Sequence, residues 1–304
     1  MSKTLSKLQL QIEEKKQILV LELSPPTNGD PSALIDTVQR VKDKVHAIGV
    51  NSNRGQVRMS ALAAASLVSQ QGIEPIMHVV TRDQNRIALM SECLGAQALG
   101  IRNLLCTTGT HQTLGHFKSS KNVFDLDSIQ LLQTYKNLSN TEMLVGDQFE
   151  FTGALCLGGV ASPYADPMEL QLIKLQKKCA AGAQFIITQP VFDVARFNRW
   201  WKEIETLGLH EKVAILAGIK PLTNAESAQA YSKQRPLPLV PEAMLNQLGS
   251  SSKPSEQRAI GIDIAVETIG QLKKLSGLRG FEIQSDTDVD AALEIIDKSG
   301  LRMN

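Results

Sequence analysis

Short apolar runs rich in Val, Ile and Leu alternate along the chain with longer stretches whose apolar positions recur at helical spacing. The runs lie at 17–23, 45–50, 74–80, 102–106, 151–157, 184–188, 213–217 and 280–284, and most lack the polar alternation of a strand with one wet face. That is the pattern of parallel strands covered on both sides. The helical stretches fall near 31–44, 57–71, 84–98, 125–139, 167–181, 193–206, 222–234 and 286–298. Asp30-Pro31 and Asp166-Pro167 each place an acid before a proline at a first helical position, and Thr223 precedes Glu226 at capping-box spacing. Eight strand–helix units in 304 residues, with no internal linker, predict an α/β fold. A single closed (β/α)8 TIM barrel over 1–304 suits them better than an open doubly wound sheet.

Two stretches stand outside this alternation. Residues 1–16 read as a polar N-terminal segment without an apolar stripe. Residues 232–275 are surplus: they begin SKQRPLPLVPE, whose prolines forbid a simple helix, and run through SSKPSEQ into an amphipathic helix at about 255–275. They are expected to form a helical insertion after the seventh strand. No solenoid-type repeat interrupts the pattern.

Composition narrows the partners. With 32 Lys+Arg against 31 Asp+Glu, and charges interspersed, the chain lacks the basic excess that phosphate-backbone binding requires, so no nucleic-acid partner is expected. No apolar stretch reaches the roughly 18 residues of a membrane span and the N-terminus has no apolar core, so the reading is a soluble cytoplasmic protein without a membrane partner. Cys93, Cys106, Cys156 and Cys179 are far apart with no CxxC pair, and three sit in apolar runs. Reduced core thiols are expected and no metal cluster.

In a barrel of this kind chemistry collects at the C-terminal ends of the strands, and here those ends are polar. The first places Glu22 within an apolar run, where desolvation favours a neutral, proton-donating carboxyl; the bland alternative is an ion pair with Lys178 or Lys220. The third ends at His78, a structural histidine or a catalyst. The fourth ends in Thr107-Thr108-Gly109-Thr110, where a glycine between hydroxyls lets backbone N–H groups approach a ligand or simply makes a tight turn. The sixth ends at Gln189, whose amide could read the edge of a heterocycle or cap a turn. The seventh ends in Gly218-Ile219-Lys220-Pro221, open to close approach and to an anion. P-loop, GxGxxG, HExxH and GxSxG signatures are all missing.

The ordered set Glu22-Leu23-Ser24-Pro25-Pro26, His78-Val79-Val80-Thr81 with Asn85-Arg86, Ala181-Gly182-Ala183 leading to Thr188-Gln189-Pro190, and Gly218-Ile219-Lys220-Pro221 resembles the methylenetetrahydrofolate reductases over about residues 17–300. The likeness is strongest to forms from anaerobic bacteria and archaea, through Phe124-Asp125-Leu126-Asp127-Ser128 and Ala165-Asp166-Pro167. The resemblance implies a flavoprotein, with FAD or FMN, that reduces a 5,10-methylene-pterin to the 5-methyl form by hydride transfer. It implies Glu22 as the general acid, with Gln189 and Thr110 at the substrate. His78, Asn51, Thr108, Gly109 and Lys178 would lie at the flavin, Lys178 on its phosphate. It also implies a homo-oligomer and electrons from NADH, NADPH or a partner subunit. The rival reading is a flavin-free pterin-binding barrel in methyl transfer, or a non-catalytic subunit of a one-carbon complex. Three positions depart from the family pattern: Thr110 stands where an aspartate is usual, Asn51-Ser52-Asn53 where Thr-Asp-Asn is usual, and Glu282 where a histidine is usual.

Overall fold

Eight parallel strands pair in chain order and the last returns to the first, so the sheet closes on itself. They are β1 (Ile18–Leu23), β2 (Ala47–Val50), β3 (Pro75–Val80), β4 (Asn103–Thr107), β5 (Cys156–Ala161), β6 (Phe185–Pro190), β7 (Ala214–Ile219) and β8 (Gly280–Gln284). Around them run α1 (Lys7–Glu13), α2 (Ser32–Val41), α3 (Ala61–Gln70), α4 (Arg86–Ala98), α5 (Ser128–Ser139), α6 (Met168–Ala180), α7 (Val194–Thr206), α8 (Leu209–Lys212), α9 (Ala225–Lys233), α10 (Glu242–Leu248), α11 (Pro254–Leu272) and α12 (Val289–Lys298). This computed structural model describes residues 5–53, 55–140, 153–233, 240–285 and 288–303. The fold is the (β/α)8 barrel that the alternation predicts. Among the described residues no helix is long and apolar enough to cross a membrane.

Side-chain alternation along each strand sorts the barrel into an outer apolar shell under the helices and an inner stack. The inner stack is apolar at its base: Ile18, Val20, Ala47, Ile76, Leu105, Cys156, Phe185, Ile187, Ala214 and Leu216 form one buried cluster. Leu8 of α1 joins it, with Ile12 packed alongside, so the segment that reads as polar supplies the floor plug. Its start is held by Ser6, whose hydroxyl accepts the Gln9 N–H (3.0 Å), and by Glu74, whose carboxylate accepts the Lys7 N–H (2.7 Å). A seven-residue helix with two inward apolar side chains leaves too short a stripe to register as a period.

The fifth strand begins at Cys156, not at 151, and residues 151–152 lie outside the described ones. Its body is Gly158-Gly159-Val160-Ala161, a stretch that glycine would normally weaken. Packing decides the matter, because the Phe185 ring occupies the space in which a Cβ on Gly158 would come within 2.2 Å.

Two predicted helix starts are displaced. Asp166 does not cap α6 but pairs with Arg196 (2.9 Å), and α9 is capped by Asn224, whose Oδ1 accepts the Ser227 N–H (2.9 Å), in place of Thr223. Asp30 does serve α2, accepting the Ser32 N–H at 3.0 Å. After β7 come α9, α10 and α11, with α11 packed on α12 and β7, which is the predicted helical insertion. Residues 234–239, which include Pro236 and Pro238 of the proline-rich stretch, lie outside the described residues, as do 286–287 of the last predicted helix. Cys93, Cys106 and Cys156 are buried free thiols and Cys179 is half-buried.

Candidate active site

Two residues beyond the apolar floor, the same inward positions turn polar. Glu22 follows Ile18 and Val20 on β1, His78 follows Ile76 on β3, and Glu282 lies on β8 in register with Val20. All three are almost completely buried, with exposures of 5 %, 8 % and 1 %. One atom from each lies within 4.8 Å of the others.

Gly49 on β2 makes the convergence possible. It is the strand neighbour of Glu22, and a Cβ there would sit 3.4 Å from His78 Nε2 and 3.5 Å from Glu282 Oε1, in the space the three side chains use. Asn51, just beyond β2, donates from Nδ2 to Glu22 Oε1 (3.4 Å) and to Ser24 Oγ (2.8 Å). Gln284 donates from Nε2 to Glu282 Oε2 (3.2 Å). The Ser285 hydroxyl donates to the Glu22 carbonyl (2.9 Å), which ties the end of β8 to β1.

The group that sequence reasoning assembles is therefore divided by the structure. Glu22, Asn51 and His78 meet: His78 Nδ1 stands 3.9 Å from Glu22 Oε2, an electrostatic contact longer than a hydrogen bond. Gln189 is half-buried at the end of β6, across the barrel, beside a bulge between Ile187 and Pro190. Thr108 accepts the Ser128 N–H (3.1 Å) through its hydroxyl, so that group serves the start of α5. Gly109 has φ +85°, and its N–H donates to Thr107 Oγ1 (3.4 Å). A Cβ there would strike Val80 at 2.5 Å, so the turn itself requires the glycine. Thr110 is exposed, and its carbonyl accepts from Arg82 Nη1 (3.0 Å).

Lys178, in the last turn of α6, points at β5, where its ammonium donates to the Val160 carbonyl. Burial there, reinforced by Lys174, pulls its pKa down to about 8, with Asp127 partly offsetting. Gly218 also departs from its expected role: a Cβ would meet the Thr188 carbonyl at 2.5 Å, so the missing side chain admits the neighbouring strand and not a ligand. Lys220 stands over the Tyr231 ring at 5.2 Å.

Beside the acid cluster lies a cavity of about 320 Å³ whose lining includes Lys220, Thr223, Ser227, Tyr231, Gln284 and Ser285. That is within the usual size of small-molecule sites. Gln284 belongs to both places, bonding Glu282 and lining the cavity, so it connects the cavity to the acid cluster. Sequence reasoning passed over Gln284 and Tyr231 and met Glu282 only as a departure. The alternation Phe281-Glu282-Ile283-Gln284 carries the signal, because it places both polar side chains on one face of β8.

Two carboxylates and an imidazole could serve a cation or a proton. The two amide donors, Asn51 and Gln284, already occupy one oxygen of each carboxylate, an arrangement suited to proton chemistry.

A family profile described as methylenetetrahydrofolate reductase matches residues 7–300. The chain belongs to that family. Its members are divergent relatives: a Caenorhabditis elegans protein called probable methylenetetrahydrofolate reductase (NADPH) is 26 % identical over 248 residues. That match takes in 78 % of this chain and 35 % of the nematode protein, so the chain spans about a third of that relative's length. A 5,10-methylenetetrahydrofolate reductase of Pectobacterium carotovorum is 23 % identical over 286 residues, covering 92 % of this chain and 89 % of its own. Among solved structures, a Clostridium thermocellum protein that binds two copies of 5-methyl-5,6,7,8-tetrahydrofolic acid superposes with a TM-score of 0.67 at 12 % identity, over 97 % of this chain and 98 % of that one. The superposition establishes the shared barrel.

Proposed function

We propose that the protein reduces 5,10-methylenetetrahydrofolate, or a related methylene-pterin, to the 5-methyl form. The observation that carries this reading is a carboxyl at position 22, 5 % exposed, bonded by Asn51 and paired in strand register with Gln284, a residue that lines the cavity. Opening the methylene bridge requires a proton on the departing ring nitrogen, and a desolvated carboxyl held at fixed distance is suited to deliver it. Gln189 supplies an amide with both donor and acceptor for the pterin edge. The apolar floor beneath excludes water from the site.

The flavin that the family resemblance implies finds a partial match. Asn51 Oδ1 is buried with no hydrogen-bond partner among the described residues, which suits a ring N–H. Asn51 and His78 would hold the ring, with Thr108 and Gly109 at the edge of the site. FAD or FMN, when bound, would supply the hydride. Lys178 would meet its phosphate by exchanging the Val160 carbonyl for it. That commitment of Lys178 favours a second reading, a flavin-free pterin-binding barrel in methyl transfer or as a non-catalytic subunit.

Anaerobic half-reactions separate the two. Under the reductase reading the purified protein is yellow, its reduced flavin is reoxidised by the methylene-pterin, and Glu22→Gln slows that reoxidation about 10²- to 10⁴-fold while retaining flavin. A colourless protein that binds the pterin establishes the second reading, and full-rate reoxidation by Glu22→Gln removes the acid role. Reducing the flavin with NADH, NADPH or a partner subunit in the same apparatus identifies the donor, and light scattering tests the expected homo-oligomer.

A further inference from the structure

We propose that Arg58 is an anion-binding residue of the site, and that the Nε–Nη2 edge of its guanidinium takes a phosphate or carboxylate group of the ligand. This deepens the reading of the site as one for a pterin and a flavin, and rests on it for the ligand but not for the hydride step.

Three arginines stand just beyond the ends of β2 and β3, and two of them show how such a residue is satisfied here. Arg82 donates from Nε and Nη2 to the two carboxylate oxygens of Asp83 (2.7 and 2.6 Å), and Arg86 donates in the same way to those of Asp125 (2.9 and 2.8 Å). Each places the side of the guanidinium that carries two parallel N–H groups on one planar oxyanion, the pairing that this fork fits best. Arg58 has the same fork and no acid for it. Its Nη1 donates to the Pro25 carbonyl (2.7 Å), and its backbone N–H donates to Asn53 Oδ1 (3.0 Å). Its Nε is buried and meets no hydrogen-bond partner among the described residues, and no carboxylate among them pairs with it. The electrostatic consequence has opposite sign in the two environments: Asp125 raises the pKa of Arg86, whereas burial lowers that of Arg58. A guanidinium stays charged even so. Folding therefore leaves a half-buried cation, partly stripped of water, whose countercharge has to come from a ligand.

The backbone joins this cation to the site. Pro25 lies three residues beyond Glu22, and Met59, next to Arg58, donates its N–H to the Pro26 carbonyl (2.8 Å). Asn51, at the other end of the same loop, bonds Glu22 and Ser24. Between them Asn53 takes a left-handed backbone (φ +41°), with its side chain accepting from Arg58 and its carbonyl from Arg82 Nη2 (3.3 Å). Arg58, Asn51 and Glu22 thus belong to one hydrogen-bonded frame at the mouth of the barrel. A ligand with a polar ring for Asn51 and Glu22 and an anionic group on a flexible arm suits that frame. Both ligands of the proposed reaction have such an arm, ending in phosphate on FMN or FAD and in carboxylates on the folate.

Equilibrium binding to the full chain tests this with two ligand pairs that differ in the anionic group. The pairs are FMN against riboflavin, and 5-methyltetrahydrofolate against 6-methyltetrahydropterin, which lacks the tail. In Arg58→Gln an anionic ligand is expected to lose about 10- to 100-fold in affinity, as for a charge-assisted contact, while its uncharged analogue loses less than about threefold. Loss confined to FMN identifies a phosphate as the partner, and loss confined to the folate identifies a carboxylate. Arg58→Lys keeps the charge without the fork and is expected to lose at least about fivefold on the same ligand, which carries the test if Arg58→Gln fails to fold.

Anionic ligands that bind the variants as tightly as the wild type overturn the proposal. So does an equal loss for the uncharged analogues, which would make Arg58 a clamp on Pro25 and nothing more. Failure of the reductase reading looks different: the wild type is colourless, or Glu22→Gln keeps its reoxidation rate, and in a colourless protein the folate pair still decides the role of Arg58.

Discussion

Replacing Lys178 with methionine isolates the cost of burying one charge. Its ordinary value of 10.5 falls to about 8 because α6 and β5 desolvate it, with Lys174 adding repulsion. A change of that size corresponds to about 3 kcal/mol, at about 1.4 kcal/mol for each tenfold change in proton affinity. The folded chain holds its proton less tightly than the unfolded one, so between about pH 8 and 10.5 the unfolded state binds more protons and stability rises with pH. Below that window the full penalty is present.

Methionine is an unbranched side chain one atom shorter that removes the charge, but it gives up the bond to the Val160 carbonyl, worth about 1 kcal/mol net. Lys178→Met is therefore expected to be about 2 kcal/mol more stable than the wild type near pH 7, an order-of-magnitude figure. By about pH 9.5 the wild type recovers about 2 kcal/mol of its own penalty and the two proteins converge. Urea unfolding of both at the two pH values is the assay. Buried thiols act in the opposite sense: Cys93, raised to about 12 by burial and by Glu92, loses stability once unfolded cysteines ionise near 9, but it does so in both proteins and cancels in the difference. A stability difference that does not change with pH would refute the reasoning, since the ammonium would then not be desolvated by folding. A more stable variant that no longer retains flavin would show that the charge is kept for a ligand.

Two further outcomes test other parts of the structure. Leu8→Ala empties the floor plug, where Leu8 is 1 % exposed, and is expected to lower unfolding free energy by about 2–5 kcal/mol in urea; a loss below about 1 kcal/mol would mean that α1 is not part of the core. Thr110→Asp puts a carboxylate where the family resemblance implies one, on the residue whose carbonyl accepts from Arg82, and is expected to lower the flavin potential in a dye-coupled titration. An unmoved potential together with unchanged turnover would remove position 110 from the flavin's surroundings.

How far the chain can be read without coordinates follows from the range of the interactions involved. The barrel was legible because each β/α unit announces itself locally: a buried parallel strand is a continuous apolar run, and a covering helix has an apolar stripe. Glu22 and His78 were legible for the same reason, as polar residues inside or ending apolar runs. Features set by packing between distant segments were not. Gly158 is in a strand because Phe185, 27 residues later, fills its missing side chain, and Leu8 is in the core because the open bottom of the barrel needs a plug. Lys178 reads equally well as a partner of Glu22 or of a phosphate; only the path of α6 over β5 directs it to the Val160 carbonyl.

The meeting of Glu22 with Glu282 is the clearest case. They are 260 residues apart, on the first and last strands, and nothing local to either segment refers to the other. Closure of the sheet makes β1 and β8 neighbours, and the glycine at position 49 leaves the room in which their side chains meet. Sequence alone determined the periods, and through them which residues face inward at the strand ends. Which of those residues touch was decided by barrel closure and register, because contact across a closed sheet is a property of the whole ring of strands and of no single one.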